Sequence, residues 1–402
     1  MGWSLQKLND VCVVERGSSP RPIKSFLTDN SDGVNWIKIG DTKNVNKYIY
    51  ETAQKITPEG ALKSRKVEIG DFILSNSMSF GRPYIMKTSG YIHDGWFVLR
   101  LKDSVDSEYL YHLLTSNYVQ DQFTDLAAGA IVKNISGDLV KKTLLPIPPL
   151  EEQKRIVAIL DEAFAGIDKA IKNTEKNLAN AKELFESYLN NIFTQKGGGW
   201  VESTLKEISI DFGRGKSKHR PRNDPKLYGG EYPFIQTGDV RNSSHFIKNH
   251  SQSYSEMGLA QSKLWPKGTL CITIAANIAE TGVLAFDSCF PDSIIGLVVD
   301  DKKYSISFIE YCLQFTKVKL QAAGKGSAQD NINLATFEDW KFSFPPYTEQ
   351  LKIVERLKTF DEQSKNLDVI YNQKLTTLKE LKQSLLQKAF AGELTSDLRD
   401  VA

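Results

Sequence analysis

Cysteine is scarce in this chain. Four residues in 402 (Cys12, Cys271, Cys289, Cys312) lie far apart with no CxxC pair, which excludes a disulfide framework or a zinc knuckle and makes a reducing cytoplasm the expected setting. Long apolar runs are missing too: nothing approaches the roughly 18 residues of a membrane span, and Met1-Gly2-Trp3-Ser4-Leu5-Gln6 has neither an export signal nor a myristoylation context. The five histidines supply no metal pair, since His245 and His250 stand in a Ser/Asn-rich loop. Charge of one sign is not in excess either. Lys+Arg number 51 and Asp+Glu 49, a net +2, so any affinity for a polyanion has to be local.

What is present is one plan written twice. A shift of 197 residues lays Trp3 on Trp200, Leu8 on Leu205, Gly129 on Gly326, Asn134-Ile135 on Asn331-Ile332, Pro148-Pro149 on Pro345-Pro346, Gln153 on Gln350 and Phe193 on Phe390. One further residue of offset lays Trp36-Ile37-Lys38-Ile39-Gly40-Asp41 on Phe234-Ile235-Gln236-Thr237-Gly238-Asp239. The register holds from end to end, so nearly the whole chain is a duplication.

Each repeat has two unlike parts. The first is rich in Gly, aromatic and β-branched residues, with short runs such as Phe72-Ile73-Leu74-Ser75 and Leu270-Cys271-Ile272-Thr273, and reads as short strands with helical pieces between them. The second starts at Pro-Pro, has no later proline, and carries apolar residues at 3-4 spacing: Ile156, Leu160, Ala163, Ile167, Ala170, Thr174, Asn177, Ala181, Leu184, Tyr188, and the same phase at Ile353, Leu357, Phe360, Ser364, Leu367, Tyr371, Lys374, Leu378, Leu381, Leu385. This pattern predicts two helices of about 65 Å, at ~1.5 Å per residue. Gly197-Gly198-Gly199 links them to the second repeat. The expected fold is α+β: globular domains over 1–148 and 197–344, long helices over 149–196 and 345–402, the helices packed as an antiparallel coiled coil and the repeats related by a pseudo-two-fold axis.

Neither globular segment is basic overall: 1–149 holds 18 basic and 16 acidic residues, and 200–344 holds 17 and 16, so a charge signal must come from short stretches. One is Gly213–Arg222, with Arg214, Lys216, Lys218, Arg220 and Arg222 and no acid. Its repeat partner, Arg16-Gly17-Ser18-Ser19-Pro20-Arg21-Pro22-Ile23-Lys24, carries three cations in nine residues. A solvated loop is the plain reading of either stretch alone. Two at one repeat position point instead to backbone approach by Gly and Pro, with Arg and Lys reaching phosphates or base edges. Weaker loop candidates are Gly40-Asp41-Thr42, Asp239, Lys133-Asn134 and Gln329-Asp330-Asn331.

Other phrases imitate chemistry. Phe344-Pro345-Pro346-Tyr347 is similar to the Asn/Asp-Pro-Pro-aromatic motif of amino-group methyltransferases, but Phe344 cannot accept from an amine. Gly215-Lys216-Ser217 lacks the upstream glycine of a phosphate loop, the position being Ile210. Asp292, Asp300 and Lys302 match the acidic spacing of a Mg²⁺-dependent nuclease, although a turn after an apolar strand accounts for them as well. No Ser/His/Asp or Cys/His arrangement can be argued, and no catalytic or metal residue is assigned. Trp36, Trp96, Phe234 and Trp265 read as core, with Trp36 and Phe234 placed just before the repeated Gly-Asp turn.

The duplicated architecture, Pro148-Pro149-Leu150-Glu151-Glu152-Gln153-Lys154-Arg155-Ile156-Val157, its counterpart Pro345-Pro346-Tyr347-Thr348-Glu349-Gln350-Leu351-Lys352-Ile353-Val354, and the ending Phe390-Ala391-Gly392-Glu393-Leu394 together resemble the specificity subunit of type I restriction-modification systems. The resemblance implies two target-recognition domains, each reading one half of a bipartite, asymmetric site in double-stranded DNA. It also implies that the helices set the gap and dock methyltransferase and restriction-translocase subunits, which would themselves use S-adenosylmethionine, ATP and Mg²⁺. A departure from the family lies after Ser75 and Thr273, where Asn76–Arg82 and Ala275–Ala279 lack the Arg at its usual place in the turn. On this reading Arg16, Ser18, Arg21 and Lys24 contact one half-site, and Arg214, Lys216, Lys218, Arg220 and Arg222 the other. The competing readings are a stand-alone nuclease and a coiled-coil scaffold for proteins.

Overall fold

The structure is a computed structural model, and it describes residues 3–76, 81–127, 136–218, 221–275, 278–325, 334, 337 and 340–395. The chain forms two compact units: Met1–Glu175 with Gln373–Ala402, and Lys176–Asn372. These units cut across a linear division into domain, helix, domain, helix, because the helices Leu150–Thr194 and Tyr347–Ala391 each contribute residues to both.

The first unit holds a five-stranded sheet in the order Cys12–Arg16, Trp96–Leu101, Phe72–Ser75, Pro83–Met86, Tyr48–Ile49. In the second unit the order is Ser209–Arg214, Ile294–Val299, Leu270–Thr273, Thr281–Leu284, Phe246–Ile247. Adding 198 to the first set gives the second, strand for strand, so the duplication read from the sequence is a duplication of topology. The central strands are buried along their length (Phe72–Ser75, Leu270–Thr273), which is why they read as continuous apolar runs rather than alternating ones.

A second sheet in the first unit runs Leu27–Thr28, Gln54–Ile56, Val34–Ile37, Gly90–Ile92, Arg65–Val67. The second unit keeps the pair Tyr228–Phe234 with Gln252–Tyr254, and the next two contacts survive as single bridges, Phe234 with Cys289 and Trp265 with Ser288. Side-chain sizes are redistributed at the same place. Val67, Ile92 and Val98 pack in the first unit where Trp265, Phe290 and Gly296 stand in the second. The rings of Trp265 and Phe290 stack with centroids 5.1 Å apart, and a Cβ on Gly296 would come within 2.8 Å of both.

The repeated Pro-Pro-x-x-x-Gln has a structural explanation. Gln153 is fully buried: its Nε2 donates to Pro148 O (2.8 Å) and Ser104 O (3.1 Å), and its Oε1 accepts from Asp106 N (2.8 Å). Gln350 repeats this with Pro345 O (2.9 Å), Lys303 O (3.5 Å) and Ser305 N (2.9 Å). Each glutamine thereby fastens the first turn of a long helix to the start of the helix that follows the sheet, Ser107–Thr115 or Ile306–Lys325.

Within each unit the two long helices run antiparallel, as the rising number on one against the falling number on the other requires. In the first, Glu152 meets Thr395 and Asp168 meets Lys382; in the second, Ala181 meets Ser364 and Tyr188 stacks on Phe360 at 4.6 Å. The apolar seam keeps the expected phase at most positions, with Ile156, Leu160, Ile167, Thr174, Ala181, Ile353 and Leu357 buried, and leaves it at a few. Leu184 (55% exposed), Asn177, Leu367, Lys374 and Leu381 face solvent, and Leu178, Phe185, Leu375 and Leu386 are more buried than these. A strict 3-4 repeat drifts by about 20° per heptad against a 3.6-residue helix, and over 45 residues the buried stripe steps to the neighbouring position.

Trp36, Trp96, Phe234 and Trp265 are core residues, and all four cysteines are buried free thiols, with burial pushing the Cys12 and Cys312 thiols up to about 12. Among the described residues no helix is long and apolar enough to cross a membrane.

Candidate nucleic-acid interface

The two basic stretches leave the same strand at the same point. Gly17 N donates to Trp96 O at 2.8 Å, and Gly215 N to Ile294 O at 2.9 Å. Neither position tolerates a side chain, since a Cβ would lie 2.0 Å from His93 O in one unit and 2.2 Å from Phe290 O in the other. Arg16 Nε donates to Asp94 O (3.2 Å) and Arg214 Nε to Asp292 O (2.6 Å). Ser64 Oγ donates to Ser18 O (2.6 Å) and Ser262 Oγ to Lys216 O (2.9 Å). The loop root is thus built from one set of bonds used twice.

Beyond the root the loops differ. In the first unit, Ser19 Oγ donates to Asp94 Oδ1 (2.6 Å) and Arg21, 81% exposed, lies 3.5 Å from Asp94 Oδ2; the Ser19 hydroxyl leads in holding the Asp94 carboxyl below its ordinary value. In the second unit, Arg222 Nη2 reaches both oxygens of Asp292, at 3.1 and 2.8 Å. Lys24, Lys216 and Lys218 are exposed, and among the described residues none of their side chains pairs with a carboxylate. In the first unit the loop walls a cleft of about 1010 Å³ with Trp36, Lys38, Gly40, His93 and Asp94. His93 Nδ1 accepts from Gly95 N (2.8 Å), which leaves Nε2 as the proton-bearing ring nitrogen, and burial lowers its affinity for a second proton.

Several of the expected contact residues have partners within the fold. Asp41 Oδ2 accepts from Lys38 N (2.7 Å) and Oδ1 from Ala53 N (3.1 Å); Asp239 Oδ2 accepts from Gln236 N (2.7 Å) and Ser251 Oγ (2.9 Å). The repeated Gly-Asp is therefore a turn closed by its own carboxylate. Thr42 is buried and donates to Ile39 O (2.8 Å), so its hydroxyl is spent internally. Arg222 is committed to Asp292. Lys133, Asn134, Arg220, Gln329, Asp330 and Asn331 lie outside the described residues.

The acids of the nuclease reading do not converge. Asp292 precedes and Asp300 follows the strand Ile294–Val299, which separates them by about 20 Å. Asp300 caps its own turn by accepting from Lys302 N at 3.1 Å. Among the described residues no three His, Cys, Asp or Glu side chains gather as a metal site.

One cluster was invisible in the sequence. Ser307 Oγ lies 3.1 Å from His245 Nε2, and Glu310, fully buried, contacts His245 Nδ1. The order Ser-His-Glu is that of a hydrolase triad. The first unit explains it otherwise: there Lys47, 198 residues earlier, pairs with Glu108, whose other oxygen accepts from Tyr48 OH (2.9 Å). Both contacts fasten the edge strand, Tyr48–Ile49 or Phe246–Ile247, to the following helix. Burial pushes the Glu310 carboxyl up, opposed by His245.

Comparison with known proteins finds the family described as type I restriction modification DNA specificity domain matching twice, over residues 1–179 and 197–377. The chain is 23% identical to the type I restriction enzyme StySPI specificity subunit of Salmonella potsdam, covering 99% of this chain and 90% of the relative. It is 24% identical to the EcoKI specificity subunit of Escherichia coli K12, over 99% and 90%, and 24% identical to the MjaIX specificity subunit of Methanocaldococcus jannaschii, over 98% and 93%. Among solved structures, a chain from work on complex assembly and conformational transition of a type I R-M system matches with a TM-score of 0.79, at 21% identity and 98% coverage of both chains. The HsdS subunit of Thermoanaerobacter tengcongensis matches with a TM-score of 0.64, at 22% identity over 98% and 97%. These structural likenesses establish a shared fold.

Proposed function

The chain belongs to the type I restriction-modification DNA specificity family, and on that premise we propose that its two units read the two unlike halves of a bipartite, asymmetric site in double-stranded DNA. The observation that carries this reading is the duplicated loop root. One frame, repeated to the atom, presents two different basic tips: Ser18-Ser19-Pro20-Arg21-Pro22-Ile23-Lys24 and the stretch from Lys216 to Arg222. Lys24, Lys216 and Lys218 contact phosphates, and Arg16 and Arg214, each anchored through Nε, present their terminal nitrogens to the duplex. Ser18 and Arg21 face the same half-site as Lys24.

The chain performs no chemistry of its own. Methyltransferase subunits and a restriction-translocase subunit dock on the long helices and bring S-adenosylmethionine, ATP and Mg²⁺, and the assembly works in the cytoplasm. The adenine to be methylated is flipped into the partner's pocket rather than into this chain.

The test is co-expression with the cognate methyltransferase and mapping of N6-methyladenine in host DNA. A split, asymmetric motif that vanishes when this gene is deleted is the expected result. Methylation unchanged by the deletion would sink the reading and favour the protein scaffold.

A further inference from the structure

An acidic side chain beside a phosphate-facing loop is electrostatically out of place, yet each unit has one there, at equivalent positions. Asp94 and Asp292 share the same backbone role, their carbonyls accepting from Arg16 and Arg214. Their carboxylates catch the loop further out, by Ser19 and Arg21 in one unit and by Arg222 in the other. We propose that Asp94 and Asp292 are positioning residues for sequence recognition, each setting the conformation of its own unit's basic loop, so that changing one alters the reading of one half-site only. The inference rests on the DNA-reading function proposed above and adds the residues that govern its selectivity.

The physical case has three parts. First, the glycine at the root donates to the neighbouring strand and packs so closely against a carbonyl that no Cβ fits, so the tip extends from a bonded anchor. Second, the carboxylate neutralises an arginine that would otherwise be one more unspecific phosphate contact, and holds it in place instead. Third, the carboxylates are partly exposed, at 46% for Asp94 and 38% for Asp292, and pairs so exposed contribute little to folding. Their loss is therefore read in where the lysines stand rather than in whether the domain folds. The same logic takes Arg222 out of the set of direct DNA contacts and makes it the partner through which Asp292 acts.

The experiment uses the full chain assembled with its methyltransferase. Wild type, Asp94→Asn, Asp292→Asn, Asp292→Glu, Arg222→Gln and the double variant Arg222→Gln/Asp292→Asn are compared by methylation mapping, by binding to duplexes scrambled in one half-site or the other, and by thermal melting. Asp292→Asn is expected to lower discrimination at one half-site by about tenfold, because the loop's phosphate contacts set the register in which base edges are read, with the other half and the melting temperature unchanged. Asp94→Asn does the same at the opposite half. Asp292→Glu recovers part of the loss. Arg222→Gln loses discrimination without the gain in unspecific binding that the freed arginine gives Asp292→Asn, and the double variant behaves as Arg222→Gln.

A wild-type motif left intact by both aspartate variants would overturn the positioning role while leaving the DNA-reading function standing. Equal loss at both half-sites, or Arg222→Gln far more damaging than Asp292→Asn, would overturn it too. Absence of any split motif from the wild-type complex would instead sink the DNA-reading function itself.

Discussion

The two units of this chain are copies that have kept their frame and exchanged their fittings. Strand order, the glutamine fastening and the loop root agree bond for bond, whereas the second sheet, the edge-strand contact and the loop tip do not. Where they differ, the differences compensate. Val98 over Val67 and Ile92 in one unit becomes Gly296 beneath Trp265 and Phe290 in the other, so volume is moved between neighbours rather than gained or lost. The edge strand is held by Lys47–Glu108 in one and His245–Glu310 in the other, one job done by groups of different protonation chemistry.

The strongest way to break this equivalence is to force one unit's residue on the other. Gly296→Val installs the first unit's side chain against two stacked rings 2.8 Å away, and destabilises the second unit by ~3 kcal/mol, read by denaturant unfolding. A neutral outcome would mean that the rings repack freely. Next come Gln153→Ala and Gln350→Ala, which strand the same buried backbone groups and cost about 1–3 kcal/mol each. The two losses should match, and a wide gap between them would show that the fastenings are not equivalent.

Smaller and purely electrostatic is the loop comparison. Lys216→Ala with Lys218→Ala flattens the salt dependence of DNA binding by about 1.8 in slope, against about 0.9 for Lys24→Ala, if each lysine neutralises one phosphate. An unchanged slope would remove that loop from the interface.

The smallest effect is the pH response of the second unit. A carboxyl whose folded affinity for a proton is raised contributes stability that is present below its unfolded pKa and is lost as pH rises through the folded one. Glu310 is such a group. Wild type should therefore lose stability relative to Glu310→Gln as pH climbs from about 4.5. Parallel pH profiles for Glu310→Gln and wild type would show that His245 fully offsets the burial.

Much of the frame was legible in the sequence. Duplication, the α+β class, both long helices and their Pro-Pro starts follow from spacing, because covalent register and helical period leave marks along one dimension. The exposed Leu184 and Leu381 show where that stops: a stripe placed by counting 3 and 4 does not know how far a straight helix has turned. Of the site, the basic loops could be found, but the tasks of Asp41, Asp239, Thr42 and Arg222 could not, because a carboxylate or hydroxyl is committed by whatever the fold brings beside it. Ser64 and Ser262 carried a usable signal, being identical at an offset of 198 within dissimilar surroundings. Ser307 and Glu310 had none, since their partner His245 stands 62 and 65 residues earlier and has no histidine counterpart in the first repeat.

The glutamine fastening has a consequence for inheritance. Every bond that Gln153 and Gln350 make across to the globular part ends on a main-chain amide or carbonyl. Such a joint is indifferent to the identity of the residues it grips. A foreign domain with the same backbone course, and with apolar side chains where these helices bury Ile156 and Leu160 or Ile353 and Leu357, could be grafted between Trp3 and Pro148, or between Trp200 and Pro345, without redesign of the glutamine joint. A gene exchange that falls at these two seams would give a chain with a new pairing of halves in a single event.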